Sequence, residues 1–179
     1  MSGSLPDDIL LRFKHGFPVF FETGTSFGDT VQTALDCGFE QIYSVEFDEP
    51  TFLKSQKRFE KLDNVVIYKG DSVTALKMVL PFLTDPVVFW LDAHPDCGLG
   101  CTPLLDELEV IKGHEGLVTI LIDDMRLMGK GKWSEVTLLK ILDKLTEINP
   151  NFNIEFIDNQ RAKGDILVAT DKSIESLLK

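Results

Sequence analysis

The sequence predicts an α/β fold, a doubly wound sheet of seven strands that is mostly parallel and ends in an antiparallel hairpin. Three observations predict it. Short β-rich runs alternate with longer amphipathic stretches along the chain. The runs are apolar almost throughout instead of alternating with polar residues, as strands covered on both faces are. The last two runs, "NIEFID" and "DILVAT", are separated only by Asn159 to Gly164, whereas a parallel crossover needs roughly a dozen residues.

Taken in order, a helix over 6–15 is marked by Asp7 and Asp8 in its first turn and by Gly16 after it. "VFFETG" is the first strand, and a helix follows over 29–37. "QIYSVEF" leads to a helix over 50–62, "VVIYKGD" to one over 72–83, and "VVFWLDAH" to one over 103–112. "LVTILIDD" closes the parallel set. The helix expected over 134–148 carries Val136, Leu139, Leu142, Leu145 and Ile148, a three-residue recurrence that makes a slowly drifting stripe. No repeat or linker interrupts the pattern, so one domain is expected over 1–179, with an N-terminal helix in 1–17 and the core in 18–179.

Composition narrows the function. A chain of 179 residues, 44% hydrophobic and 26% charged, buries an ordinary globular core. Its apolar runs fall far short of the roughly 20 residues that span a membrane, and its first residues are acidic where a secretory leader would be basic. A soluble, cytoplasmic protein is expected. The formal net charge is -11, and Lys130 with Lys132 is too small a basic cluster to offset it, so neither nucleic acid nor membrane is expected as a partner. Three cysteines, Cys37, Cys97 and Cys101, read as reduced thiols.

The stretch "FFETGTSFGDT" ends the first strand in a carboxylate, two glycines and small hydroxylated residues. A glycine-rich turn into a helix lets the backbone approach a ligand closely. The dinucleotide pattern G-x-G-x-x-G is not met, because Ser26 stands where a glycine is wanted. Glu46, at the end of the second strand, lies 24 residues beyond Glu22; a carboxylate there accepts hydrogen bonds from ribose hydroxyls, which indicates a nucleoside.

The pattern E-x-G-x-x-x-G, with five crossover-linked strands and a terminal hairpin, resembles the class I S-adenosyl-L-methionine (SAM)-dependent methyltransferases, from about Phe20 to the end of the chain. That family has a Rossmann-like sheet. The resemblance implies that Glu22 attracts the ammonium of SAM while amides from Thr25 to Asp29 meet its carboxylate. Asp71 in "KGDSV", with Ser72, would contact the adenine amino group, or only cap the next helix. The implied cofactor set is Glu22, Thr23, Gly24, Thr25, Ser26, Gly28, Asp29, Thr30, Glu46, Phe47, Asp71, Ser72 and Asp92. The alternative is that Glu22 and the glycines merely form a sharp turn.

In the family's strand order the fourth strand lies beside the first and the fifth beside the fourth, so Asp92, Asp123 and Asp124 would crowd one edge. Three like charges need neutralising, and a hard divalent cation with oxygen ligands does so. This is the pattern of the cation-dependent O-methyltransferases, in which Asp92 and the pair Asp123 and Asp124 would bind Mg2+ or another divalent cation and activate a hydroxyl. Otherwise Asp92 touches ligand alone and the pair ends its strand. Asp92, His94 and Asp124 are the expected catalytic groups, His94 as a general base or else as a pocket wall.

"HPDCGLGC" offers His94, Cys97 and Cys101 to zinc but lacks paired C-x-x-C spacing, and reads as an active-site loop. "RLMGKGKWSE" is an exposed loop before a Ser134-capped helix, unless Trp133 covers an acceptor. "ETGT", "GDT", "FWLDAH", "PLLDEL" and "ILIDD" together look like a group of small bacterial and phage-type methyltransferases. Only about 19 residues precede the motif strand, which implies an acceptor site that is open or completed by a second subunit of a homodimer. The function implied is methyl transfer to an oxygen of a small molecule or sugar, with possible assistance from the cation. The alternatives are a non-catalytic nucleoside-binding module and a nicotinamide-dependent oxidoreductase.

Overall fold

A computed structural model describes residues 5–94 and 102–174. Helix α1 (Asp7–Lys14) is followed by β1 (Val19–Thr23), α2 (Asp29–Asp36), β2 (Gln41–Glu46), α3 (Glu49–Phe59), β3 (Val65–Lys69), α4 (Ser72–Val79), β4 (Val87–Leu91), α5 (Leu104–Ile111), β5 (Val118–Ile122), α6 (Leu138–Ile148), β6 (Phe152–Ile157) and β7 (Ile166–Asp171). The seven strands form one sheet in the order β3-β2-β1-β4-β5-β7-β6. The first five are parallel, while β7 runs antiparallel to both β5 and β6, with Ile157 opposite Ile166. The fold class read from the sequence is the one observed.

Alternation along the strands sends side chains to two cores. Phe21, Phe89, Leu91, Ile120 and Ile122 pack under α4, α5 and α6, against Leu76, Leu108 and Ile141. Phe20, Ile42, Val88, Trp90 and Leu121 face the other way, against Leu10 and Phe13 of α1, Val31 and Ala34 of α2 and Phe59 of α3. Every residue of β1, β4 and β5 is buried, which is why these runs carry no polar alternation. Among the described residues no helix is long and apolar enough to cross a membrane.

Registers align the strands' C-terminal ends: Thr23 lies opposite Val45 and Leu91, Glu46 opposite Lys69, and Leu91 opposite Ile122. The loops after β1 to β5 therefore share one rim.

Helix boundaries depart from expectation where local bonds decide. Helix α3 begins at Glu49 because the Asp48 side chain accepts from the Thr51 amide at 3.0 Å. Helix α4 stops at Val79, where Leu80–Phe82 tightens into a 3-10 turn around Pro81. Helix α6 starts at Leu138, capped by Thr137 and not by Ser134; Gly131–Trp133 is a 3-10 turn. Its buried face is Ile141 and Leu145, and Leu139 is exposed. The three-residue stripe thus differs from the four-residue one that packs.

Candidate functional site

The turn after β1 is held from below. Glu22 is 1% exposed and accepts from the Ser44 hydroxyl at 2.6 Å, which lies 2.6 Å from the Thr25 hydroxyl. Burial pushes the Glu22 carboxyl up to about 8, against the lowering effect of bonds from Ser44 and Thr30. Gly24 and Thr25 both donate their amides to the Val45 carbonyl, at 3.0 and 3.1 Å. Gly24 has φ 90°, and a β-carbon there would stand 2.7 Å from the Asp92 carbonyl oxygen, so only glycine fits where the two loops meet. Ser26 adopts the left-handed conformation, φ 50°, that a glycine would take more cheaply.

Glu46 explains how Ser26 is kept there. Its Oε2 accepts from the Ser26 amide and its Oε1 from the Asp48 amide, both at 2.8 Å. Each oxygen retains a further lone pair for a hydroxyl. Across the cleft, Asp71 caps α4 by accepting from the Thr74 amide at 2.8 Å. Burial works to raise the Asp71 carboxyl, but the Thr74 bonds leave it below its ordinary value.

Gly24, Val45, Glu46, Phe47, Gly70, Asp71, Ser72, Ala93, His94 and Pro103 line one cleft that opens to solvent. Of the expected cofactor set, the structure brings Gly24, Glu46, Phe47, Asp71 and Ser72 to its wall. Glu22, Thr23, Thr25 and Thr30 are buried beneath it. The Asp29 carboxylate instead pairs with Arg58 at 2.7 Å on the surface, and the Ser26 and Gly28 amides are engaged by Glu46 and the Thr25 carbonyl. Gly28 packs against Phe59, where a β-carbon would come within 2.5 Å of the ring.

At the β4 and β5 ends, His94 bridges two chain segments. Its Nδ1 lies 3.0 Å from the Asp92 carbonyl and its Nε2 2.8 Å from Asp124 Oδ2. The contact with Asp124 outweighs burial and lifts the imidazole to about 9. Trp133 meets its ring edge-on, centroids 5.7 Å apart. Asp92 is buried and held well above the usual carboxylate range, by burial first and by Asp123 next. Its Oδ1 has no hydrogen-bond partner among the described residues.

Asp124 is 1% exposed, has φ 61° and is surrounded by cations. Besides His94, Arg126 Nη1 reaches its Oδ1 at 2.6 Å and Arg161 Nη1 the same oxygen at 3.0 Å. Burial works to raise this carboxyl; the contacts with His94 and Arg126 overcome it and hold the group below its ordinary value. Asp123, raised to about 6 by burial, accepts from Asn159 Nδ2 at 3.2 Å and has Arg161 at 3.8 Å. Asp165 receives the Arg126 amide at 2.9 Å, a second Arg126 contact through Nη1, and Asn159 Nδ2 at 2.9 Å.

Two groups of the described residues bring possible ligand atoms within 4.8 Å of one another: Asp92, His94 and Asp124, and Asp123, Asp124 and Asp165. The expected set of Asp92, Asp123 and Asp124 is divided between them. In both, Asp124 is already bonded by N–H groups. The zinc alternative at Cys97 and Cys101, and the active-site loop containing them, lie outside the described residues.

Sequence reasoning missed Arg126, Asn159, Arg161 and Asp165, which no motif spacing links. It also missed Glu107, 1% exposed on α5; burial lifts its carboxyl to about 7 while hydrogen bonds from Ser72 and Thr23 oppose the rise. A buried acid inside "PLLDEL" was the available signal.

No family model matches the chain, and no curated protein matches it in sequence. Solved structures match its fold. The O-methyltransferase TomG from Streptomyces achromogenes, involved in tomaymycin synthesis and crystallised with SAM, is 11% identical with a TM-score of 0.67, over 92% of this chain and 78% of that one. An O-methyltransferase from Bacillus cereus in complex with SAH is 13% identical with a TM-score of 0.66, over 93% and 78%. An rRNA methylase from Streptococcus thermophilus is 13% identical with a TM-score of 0.54, over 92% and 93%. The sheet is thus of the class I methyltransferase type, a fold shared by enzymes with unlike acceptors.

Proposed function

We propose that the chain is a SAM-dependent methyltransferase acting on an oxygen of a small molecule or sugar. The observation that carries this reading is one cleft at the strands' C-terminal rim that joins the Gly24 turn, Glu46 and Asp71 to Ala93 and His94, with Asp92 buried next to them in the chain. Ligands of doubly wound sheets bind at such a rim. The residues fit the cofactor in two respects: at Gly24 bare backbone without a side chain lines the cleft, and Asp92 Oδ1 is a buried acceptor lacking a donor. Both suit a ligand with a cationic amino acid end.

When bound, SAM supplies an activated methyl group on a cationic sulfonium. Glu46, fixed by two amides, is oriented to accept from ribose hydroxyls. Asp71, Ser72 and Phe47 form the wall for the base. Glu22 acts from below by keeping the turn rigid and does not meet the ammonium itself. His94, bracketed by Asp92 and Asp124 and packed edge-on against Trp133, forms the cleft wall at that end.

An oxygen acceptor is favoured by the structural likeness to O-methyltransferases. A polyanionic acceptor such as rRNA is disfavoured by the net charge of -11 and the acidic rim. Calorimetric titration with SAM or its demethylated product tests the reading: one saturable site supports it, and the absence of heat at about millimolar ligand rejects it. A labelled-methyl screen of oxygen acceptors, with Asp92→Ala as the control, tests the transfer step.

A further inference from the structure

We propose that Arg126 and Arg161, together with His94, take the place of a divalent cation at the Asp92–Asp123–Asp124–Asp165 cluster, making this centre independent of metal. The sequence argument for a cation rested on carboxylates lacking countercharge. The structure supplies that countercharge from within the chain. Arg126 Nη1 and Arg161 Nη1 meet Asp124 Oδ1 at 2.6 and 3.0 Å, and His94 Nε2 meets Oδ2 at 2.8 Å. These three groups put countercharge on one buried carboxylate, through ion pairs at both oxygens and a hydrogen bond from Arg161 to Oδ1.

The arginines also extend the pairing outward. Arg126 bridges Asp124 to Asp165, and Arg161 bridges Asp124 to Asp123. A divalent ion placed on Asp123, Asp124 and Asp165 would have to displace both guanidinium groups, which carry the same sign of charge. One placed on Asp92, His94 and Asp124 would meet the guanidinium groups of Arg126 and Arg161 already at Asp124 Oδ1. Guanidinium forks match carboxylates geometrically and stay charged at any working pH. The two arginines come from distant places, the turn after β5 and the β6–β7 connection, so the cluster also ties the hairpin to the parallel sheet.

The test uses the full chain, stripped with a chelator and titrated near neutral pH with Mn2+, Mg2+ and Ca2+ by calorimetry, with electron paramagnetic resonance for Mn2+. The parent should show no saturable binding up to about 1 mM, the weak end of protein cation sites, and no change in melting temperature. The Arg126→Met/Arg161→Met double variant should melt lower and gain at least about tenfold in Mn2+ affinity, a gain abolished by adding Asp124→Asn. If the double variant does not fold, Arg161→Met alone is read in the same way.

A parent that binds one cation in a manner lost on Asp124→Asn overturns the proposal. So does an arginine variant with parental stability and no gained cation site. Neither readout uses SAM or turnover, so this inference can fail while the methyl-transfer reading stands, and the reverse.

Discussion

Gly24 and Asp92 approach so closely that a single methyl group decides the geometry of the cleft. Gly24→Ala places a β-carbon 2.7 Å from the Asp92 carbonyl oxygen on a residue with φ 90°. The strain should lower stability by about 1–3 kcal/mol and weaken SAM binding at least about tenfold, measured by denaturant titration and calorimetry; unchanged values for both would show that the contact is not needed. Glu107 makes a prediction about pH. The folded chain keeps its proton up to about 7, above the ordinary 4.5, so the stability tied to this group is complete below the unfolded value and is lost as pH rises through the folded one. Glu107→Gln should therefore gain on the parent by on the order of 1–3 kcal/mol between about pH 5 and about pH 8. Urea denaturation at both values checks it, and a difference that stays constant with pH rejects it. Arg126 bridges two buried carboxylates, Asp124 and Asp165, but is itself about one-third exposed, 31%. Its replacement by Met should cost about 2 kcal/mol or more, below the roughly 3–5 kcal/mol of a fully buried pair.

At the scale of elements, the strands were legible and the side-chain network was not. β1, β4 and β5 are read correctly because burial on both faces forces an unbroken apolar run, a signal local to the strand itself. The hairpin was legible from loop length alone. Helix α6 was misplaced at its start because Ser134 and Thr137 are equally good caps in sequence, and only the 3-10 turn at Gly131–Trp133 chooses between them. Motif spacing picked out Gly24, Glu46 and Asp71, each at or just beyond the end of its own strand. It could not find Asn159 and Arg161, whose partners Asp123 and Asp124 lie 36 and 37 residues away, since the meeting is set by β7 lying next to β5. Asn159 joins that connection to both Asp123 and Asp165. Asn159→Ala should lower stability by about 1–3 kcal/mol by leaving buried acceptors unpaired. It should slow methyl transfer while leaving SAM affinity within about twofold; an equal loss in both would place the connection in the cofactor site instead.

Over the whole molecule, the two halves of the sheet divide the work. The β3-β2-β1 side contributes Glu46, Asp71 and the Gly24 turn to the cleft, and the β4-β5-β7 side gathers Asp92, His94, Asp124 and the arginines. They meet at the line between β1 and β4, where strand order reverses and an open α/β sheet places its ligand. A chain with net charge -11 presents that cleft to cationic or neutral ligands more readily than to polyanions. The central claim is that this cleft grips the nucleoside and amino acid ends of SAM together. Calorimetric titration of the parent and of Glu46→Gln with SAM tests it most directly. The account predicts one saturable site in the parent, weakened at least about tenfold by Glu46→Gln; a parent that releases no heat with SAM, yet is stabilised by a nicotinamide dinucleotide, would contradict it.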